Sequence, residues 1–200
     1  MLKKIYKSIL GYPIALILNA LSFFHKPFMV YGFFNYKKLR FMKYTRISSS
    51  SVVLNKKKLD LNNHVWIGHF NLLDASNGLV IEEGVQTGSH VSIFSHSSHD
   101  SVRFYGKNFI FKNNRITNIS GPVLIGKYSF IGTGAVIFPN VSIGHGSIIK
   151  AGSVVMNSFP ENSYIAGNPA IHVKCLKEDD IKKLNEIPEL KGSYYNKKLF

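Results

Sequence analysis

Hydrophobic positions between residues 119 and 169 recur on a fixed step of six. Ile or Val stands at Ile119, Ile125, Ile131, Ile137, Ile143, Ile149 and Val155. Four places after each stand Val123, Ser129, Ala135, Val141, Ser147, Ser153 and Phe159, mostly small or β-branched. Gly follows the aliphatic residue at Gly126, Gly132 and Gly144. An α-helical period cannot give this pattern, and simple strand alternation does not require it. A step of six reads as one short strand and one turn, wound into a parallel β-helix. Each aliphatic side chain then points inward and stacks on its counterpart one coil earlier, while the small residue lets the chain turn a corner. One unit cannot bury its own apolar face, so stacked coils share a continuous core.

The same pattern begins loosely at Ile47, Val53 and Leu59 or Leu61, and runs on through Ile67, Leu73, Ile81, Thr87 and Ile93. Between Leu73 and Ile81 the step is eight, which predicts a two-residue insertion near Asn77 and Gly78. From 94 to 118 the period is lost, and this polar stretch reads as a long excursion, of a length that is usually functional. Residues 2–10 place Leu2, Ile5, Tyr6, Ile9 and Leu10 on one helical face and Lys3, Lys4 and Lys7 on the other. Residues 14–24 are apolar nearly all round. The apolar run from Ile9 to Phe24 is shorter than the roughly 20 residues a span needs, so an interfacial or re-entrant element suits it better. A secretory signal is the rival reading. Residues 25–46 interleave aromatics with bases, as a lipid interface favours, or form a helical cap over the first coil. The tail contains KEDDIKKLNEI, a short helix with acids before bases. Three parts follow: a basic, apolar, helical segment over 1–46, a β-helix over 47–174, and a helical tail over 175–200.

Charge sharpens this division. The net charge is +14, and residues 1–59 hold 12 Lys or Arg and no acid before Asp60. A basic segment meets nucleic acid or an anionic membrane surface. The long apolar and aromatic runs in the same segment favour the membrane and argue against nucleic acid. One cysteine, Cys175, excludes an intrachain disulfide and fits a reducing compartment.

Candidate chemistry gathers where the repeat breaks. His90, His96 and His99 lie there, and His is the side chain suited to taking a proton near neutral pH. With the run from Ile119 and the end GHGSIIKAGSVVMNSFPENSYIAGNPA, these residues resemble the left-handed β-helix, hexapeptide-repeat acetyltransferases, in particular their polysaccharide O-acetyltransferase branch. The resemblance covers roughly residues 47–174. It implies an all-β fold, a left-handed parallel β-helix, with acetyl-CoA as co-substrate and no metal. Segment HSSHD resembles the family's catalytic segment, so His99 is the expected general base and His96 the alternative. The matched donor-groove positions are Thr133, Gly134, Ala151, Gly152, Met156 and Lys174. GHFNLLD resembles the acceptor-side segment, with Asn71 and Asp74 as contacts and His69 where relatives carry Asn. Phe130 stands where relatives often carry Trp and is expected to wall the pocket. Arg103 in the excursion is a candidate for holding an acidic saccharide.

The resemblance implies direct transfer of an acetyl group to a sugar hydroxyl of a bacterial surface polysaccharide or its precursor. It also implies a homotrimer with each site between two subunits, and an oxyanion donor near Gly132–Gly134. With the basic segment it places the protein in the cytoplasm, peripheral on the inner membrane or on a lipid-linked glycan. Three rivals remain: a sugar-nucleotide N-acetyltransferase of the same fold, a zinc-dependent β-helix enzyme using His90, His96 and His99, and a non-catalytic scaffold.

Overall fold

A computed structural model describes residues 8–9, 11–24, 26–112 and 116–196. Helix α1 spans Gly11–Phe24 and leaves Tyr12, Leu16, Ile17 and Leu21 exposed. The amphipathic helix expected over 2–10 lies, apart from Ser8 and Ile9, outside the described residues. Among the described residues no helix is long and apolar enough to cross a membrane.

The expected helical character of 25–46 gives way to a β-hairpin. Strands Met29–Asn35 and Arg40–Ser48 pair antiparallel, and the second continues in parallel onto the first coil through Arg46↔Trp66 and Ile47↔Ile67. The physical reason is visible in the second strand, where Met42, Thr45 and Ser48 are buried at every third place while its other residues stay more exposed. The hairpin caps the coils by extending a sheet.

From Ile47 the chain winds as a left-handed parallel β-helix with three sheet faces. The first face has eight strands, including the hairpin, Trp66–Ile67, Gln86–Thr87, Phe130–Ile131, Ile148–Ile149 and the closing pair Ser163–Gly167 and Ala170–Cys175. The second carries Val52–Leu54, Leu72–Asp74, Ser92–Ile93, Val136–Ile137 and Val154–Val155. The third carries Leu59–Leu61, Leu79–Ile81, Val123–Ile125 and Ser142–Ile143. Registers such as Ile131↔Ile149 and Ile137↔Val155 stack the inward aliphatic residues directly on one another. Leu61, Ile81, Ile125 and Ile143 are wholly buried on the third face, as the period of six requires. Each such side chain contributes about 1.5–3 kcal/mol relative to an exposed one.

The glycine after the aliphatic residue has a steric reason. A Cβ at Gly132 would stand 2.3 Å from Ala151 N, one at Gly144 2.2 Å from Glu161 N, and one at Gly126 2.5 Å from His145 N. The backbone of the next coil occupies that space, so only glycine lets the coils approach.

All the irregularity falls at one corner, between the second and third faces. The first coil carries an extra turn at Lys56–Lys58 there, and the second an inserted turn around Asn77 and Gly78. The third coil sends out the excursion at the same place, as helix α2 (His99–Tyr105) followed by a 3-10 turn, Gly106–Phe111. The ends of the excursion are tied together by antiparallel pairing of His96–Ser97 with Ile119–Ser120. Helix α3, Lys177–Glu186, forms where the acids-first tail predicted one.

Candidate active site

Strand Leu72–Asp74 ends at the irregular corner, and the inserted turn after it bends back over its last residue. The Asp74 side chain is fully buried there. Its Oδ1 accepts the Ser76 N–H at 2.9 Å and the Ser76 hydroxyl at 2.5 Å. Its Oδ2 accepts the Ser95 N–H at 3.2 Å, the Ser95 hydroxyl at 3.1 Å and His96 Nδ1 at 2.7 Å. Burial pushes the carboxyl up, but the hydrogen bonds from Ser76, His96 and Ser95 outweigh it and hold the group at about 2. The carboxyl is therefore ionised at neutral pH and can only accept. His96 must carry its proton on Nδ1, and Nε2 is left with a lone pair.

The His96 side chain is about half exposed and opens into a cavity of about 300 Å³. Leu54, Asp74, Phe94, Ser97, Ser98 and Phe138 line it with His96. Because the zipped base of the excursion carries His96, the imidazole stands on paired backbone. His99 stands instead at the first turn of α2. Its Nδ1 meets Ser97 Oγ at 2.7 Å, and its Nε2 lies 3.8 Å from the partly exposed Asp100. The side chain with a buried, ionised partner is thus His96, the expectation's second choice.

Other expected residues sort by corner. Asn71 is buried between the first and second faces with its amide fully used. Its Nδ2 donates to Thr87 Oγ1 at 2.6 Å and to Gly88 O at 3.1 Å, and its Oδ1 accepts the Val91 N–H at 2.7 Å. It braces the corner and has no group left for an acceptor. His69 meets Ser48 Oγ at 2.6 Å at that corner. Asp74, expected as an acceptor contact, orients His96. Arg103 is exposed and pairs with Asp100 at 3.4 Å. Phe130 stands on the first face between Gln86 and Ile148, away from the residues lining the cavity.

The expected donor residues frame the second face. Thr133, Gly134, Ala151 and Gly152 form stacked, exposed turns along one edge, with the Gly152 N–H donating to Thr133 O at 2.9 Å. Along the other edge Met156, half exposed, continues the column of Phe94 and Phe138. Lys174 is exposed and ion-paired with Asp179, whose hydrogen bond and charge raise its pKa. The N–H groups of Gly132 and Gly134 donate to Ile149 O and Ser89 O, so these two amides are spent on the coil ladder and are not oxyanion donors. The three histidines weighed as a zinc set are not brought together. His90 stacks on Phe70 with ring centroids 5.1 Å apart, and among the described residues no group of three metal-ligating side chains converges.

Comparison with known proteins gives the same picture. No family model matches the chain. It is 33% identical over 122 residues to serine acetyltransferase 2 of Arabidopsis thaliana, covering 61% of this chain and 34% of that protein. It is 34% identical over 134 residues to the serine acetyltransferase of Buchnera aphidicola subsp. Acyrthosiphon pisum, covering 67% of this chain and 43% of that protein. The chain thus spans less than half the length of these curated relatives. Among solved structures, AntD, an N-acyltransferase from Bacillus cereus in complex with dTDP and 3-hydroxybutyryl-CoA, superposes with a TM-score of 0.56 at 19% identity. That match covers 74% of this chain and 88% of AntD, and it carries the fold. With its repeat, its three-faced coil and these relatives, the chain belongs to the left-handed β-helix, hexapeptide-repeat acetyltransferases.

Proposed function

We propose that this chain transfers an acetyl group from acetyl-CoA to a sugar hydroxyl of a bacterial surface polysaccharide or its lipid-linked precursor. The observation that carries the reading is His96, held at 2.7 Å by the buried Asp74 carboxylate at the mouth of a cavity. The acceptor hydroxyl gives its proton to His96 Nε2 as its oxygen attacks the thioester carbonyl. The C–S bond then breaks, and His96 returns the proton to the departing thiolate. Asp74 stays ionised throughout and stabilises the imidazolium between these two transfers. The pantetheine arm lies along the second face, between the turns of Thr133, Gly134, Ala151 and Gly152 and the side chain of Met156. Lys174 reaches the nucleotide end. Its exposed pairing with Asp179 is weak enough to exchange for a phosphate. Three copies assemble, as the family resemblance implies, with each site between two of them. His69, Phe130 and Arg103 then act on the acceptor from outside the cavity of their own chain.

Two further acceptors compete. The serine acetyltransferases among the relatives favour a serine hydroxyl, and AntD's description as an N-acyltransferase favours an amino sugar. Purified protein offered acetyl-CoA with a polysaccharide, free serine and an amino-sugar nucleotide separates them. An alkali-labile ester on the polysaccharide is expected. An ester on serine, or an alkali-stable amide, would replace this reading.

The segment before the coils brings the enzyme to the cytoplasmic face of the inner membrane. Its motive is the exposed apolar side of α1 beside a segment without acids. Each Lys or Arg near an anionic surface contributes about 1 kcal/mol. Flotation with anionic vesicles should recover the protein at low salt and lose it at high salt. Equal recovery with neutral vesicles at both salts would refute electrostatic docking.

A further inference from the structure

The outward side chains of the first face form one continuous column. Strand registers place Tyr31 opposite Arg46, Arg46 beside Trp66, Trp66 beside Gln86, and Gln86 beside Phe130. They continue from Phe130 to Ile148, from Ile148 to Tyr164, and from Tyr164 to Lys174. An aromatic ring therefore stands on every second rung: Tyr31, Trp66, Phe130 and Tyr164. Neighbouring strands are about 4.8 Å apart, so successive rings are about 10 Å apart along the coil axis. The outward positions of the other two faces carry no ring: Leu72, Ser92, Val136 and Val154 on the second, Asp60, Val80, Leu124 and Ser142 on the third.

Polar groups interleave with the rings. The Arg46 guanidinium lies 4.1 Å from the Trp66 ring centroid and 5.7 Å from that of Tyr31. Gln86 is exposed between Trp66 and Phe130, and Lys174 ends the column. A lipid surface requires no such alternation along one line. An extended glycan does match it: two pyranose rings in an extended chain span about the distance between alternate strands. Their apolar faces suit aromatic rings, and hydroxyls and carboxylates suit the amide and cations between.

We infer that this column binds an extended, acidic polysaccharide running along the coil axis. The inference deepens the saccharide reading above and rests on it for the nature of the acceptor. Because the column and the His96 cavity occupy different faces, the polymer is tethered away from the reacting unit. The tether raises the local concentration of acceptor hydroxyls at the site.

Trp66 is the chain's only tryptophan, so its emission reports this column directly. The test titrates the full chain, without acetyl-CoA, with hyaluronan disaccharide, tetrasaccharide and octasaccharide. Affinity should rise at least about tenfold from the shortest to the longest, as successive rings engage. Phe130→Ala and Tyr164→Ala, checked for wild-type melting, should each weaken octasaccharide binding about tenfold, the scale of one lost aromatic contact. No response of Trp66, or equal affinity at all lengths, overturns the inference. So does a Trp66 signal that answers only to protein concentration, which would put a second copy on the column. A signal answering only to anionic vesicles would put a membrane there and also overturns it. Since no donor is present, a protein that binds the octasaccharide but transfers nothing would sink the transferase reading and leave this one standing.

Discussion

His96→Ala is expected to lower kcat by about 10²–10⁴, the range for removal of one positioned general base. Binding of acetyl-CoA should change little, because the imidazole acts on the acceptor proton. His99→Ala should cost far less. Its ring touches Ser97 and the partly exposed Asp100, and its loss loosens only the first turn of the excursion helix. The contrast is informative because the two residues are three apart in one short segment. A shifted loop would reverse the result, with His99→Ala inactive and His96→Ala active. If both variants keep full activity, the excursion is not the catalytic segment.

Asp74→Asn should lower kcat by a similar factor while leaving the side chain nearly the same size. An amide presenting its NH2 to His96 would favour the tautomer with the proton on Nε2, which cannot accept from the acceptor. The same substitution has a signature in stability. The Asp74 carboxyl falls from an ordinary 3.8 to about 2 in the folded protein. Its folded value is depressed, so it stabilises the fold fully above the unfolded value, and this is lost as pH falls through the folded value. The difference corresponds to about 2 kcal/mol, lost between about pH 4 and pH 2. Urea unfolding of the wild type should show this loss, and Asp74→Asn should lack that part of it. The variant should also be less stable at neutral pH, because buried serine donors lose an ionised acceptor. An unchanged acid profile in the variant would contradict the assigned hydrogen bonds.

The coil was legible because its interior is a stack of like residues on a short fixed step. Ile131, Ile149 and their neighbours announce it without reference to any other segment. The excursion was legible for the opposite reason, as a break in that step. Asp74's role was not legible. Its partner is 22 residues away, one coil on, and contact depends on the inserted turn that folds Ser76 over the carboxylate. Asn71 and Asp74 look alike as polar residues flanking a short strand. Packing makes one a corner brace and the other a base's partner. The hairpin was misread because aromatics interleaved with bases also suit a lipid interface. Its buried Asn35, donating to Asp60 and Leu61 O, fixes the turn to the first coil through contacts 25 and 26 residues apart. The column of rings on the first face was invisible for the same reason. Its members are spread from Tyr31 to Lys174 and become neighbours only through strand register.

The most direct test of the account is acetyl transfer by wild type, His96→Ala and His99→Ala measured side by side on one polysaccharide at saturating acetyl-CoA. Free coenzyme A thiol and alkali-labile acetyl ester are counted together. The account predicts equal amounts of both from wild type, most of that activity from His99→Ala, and nearly none from His96→Ala. Ester formation that survives in His96→Ala and fails in His99→Ala would contradict it.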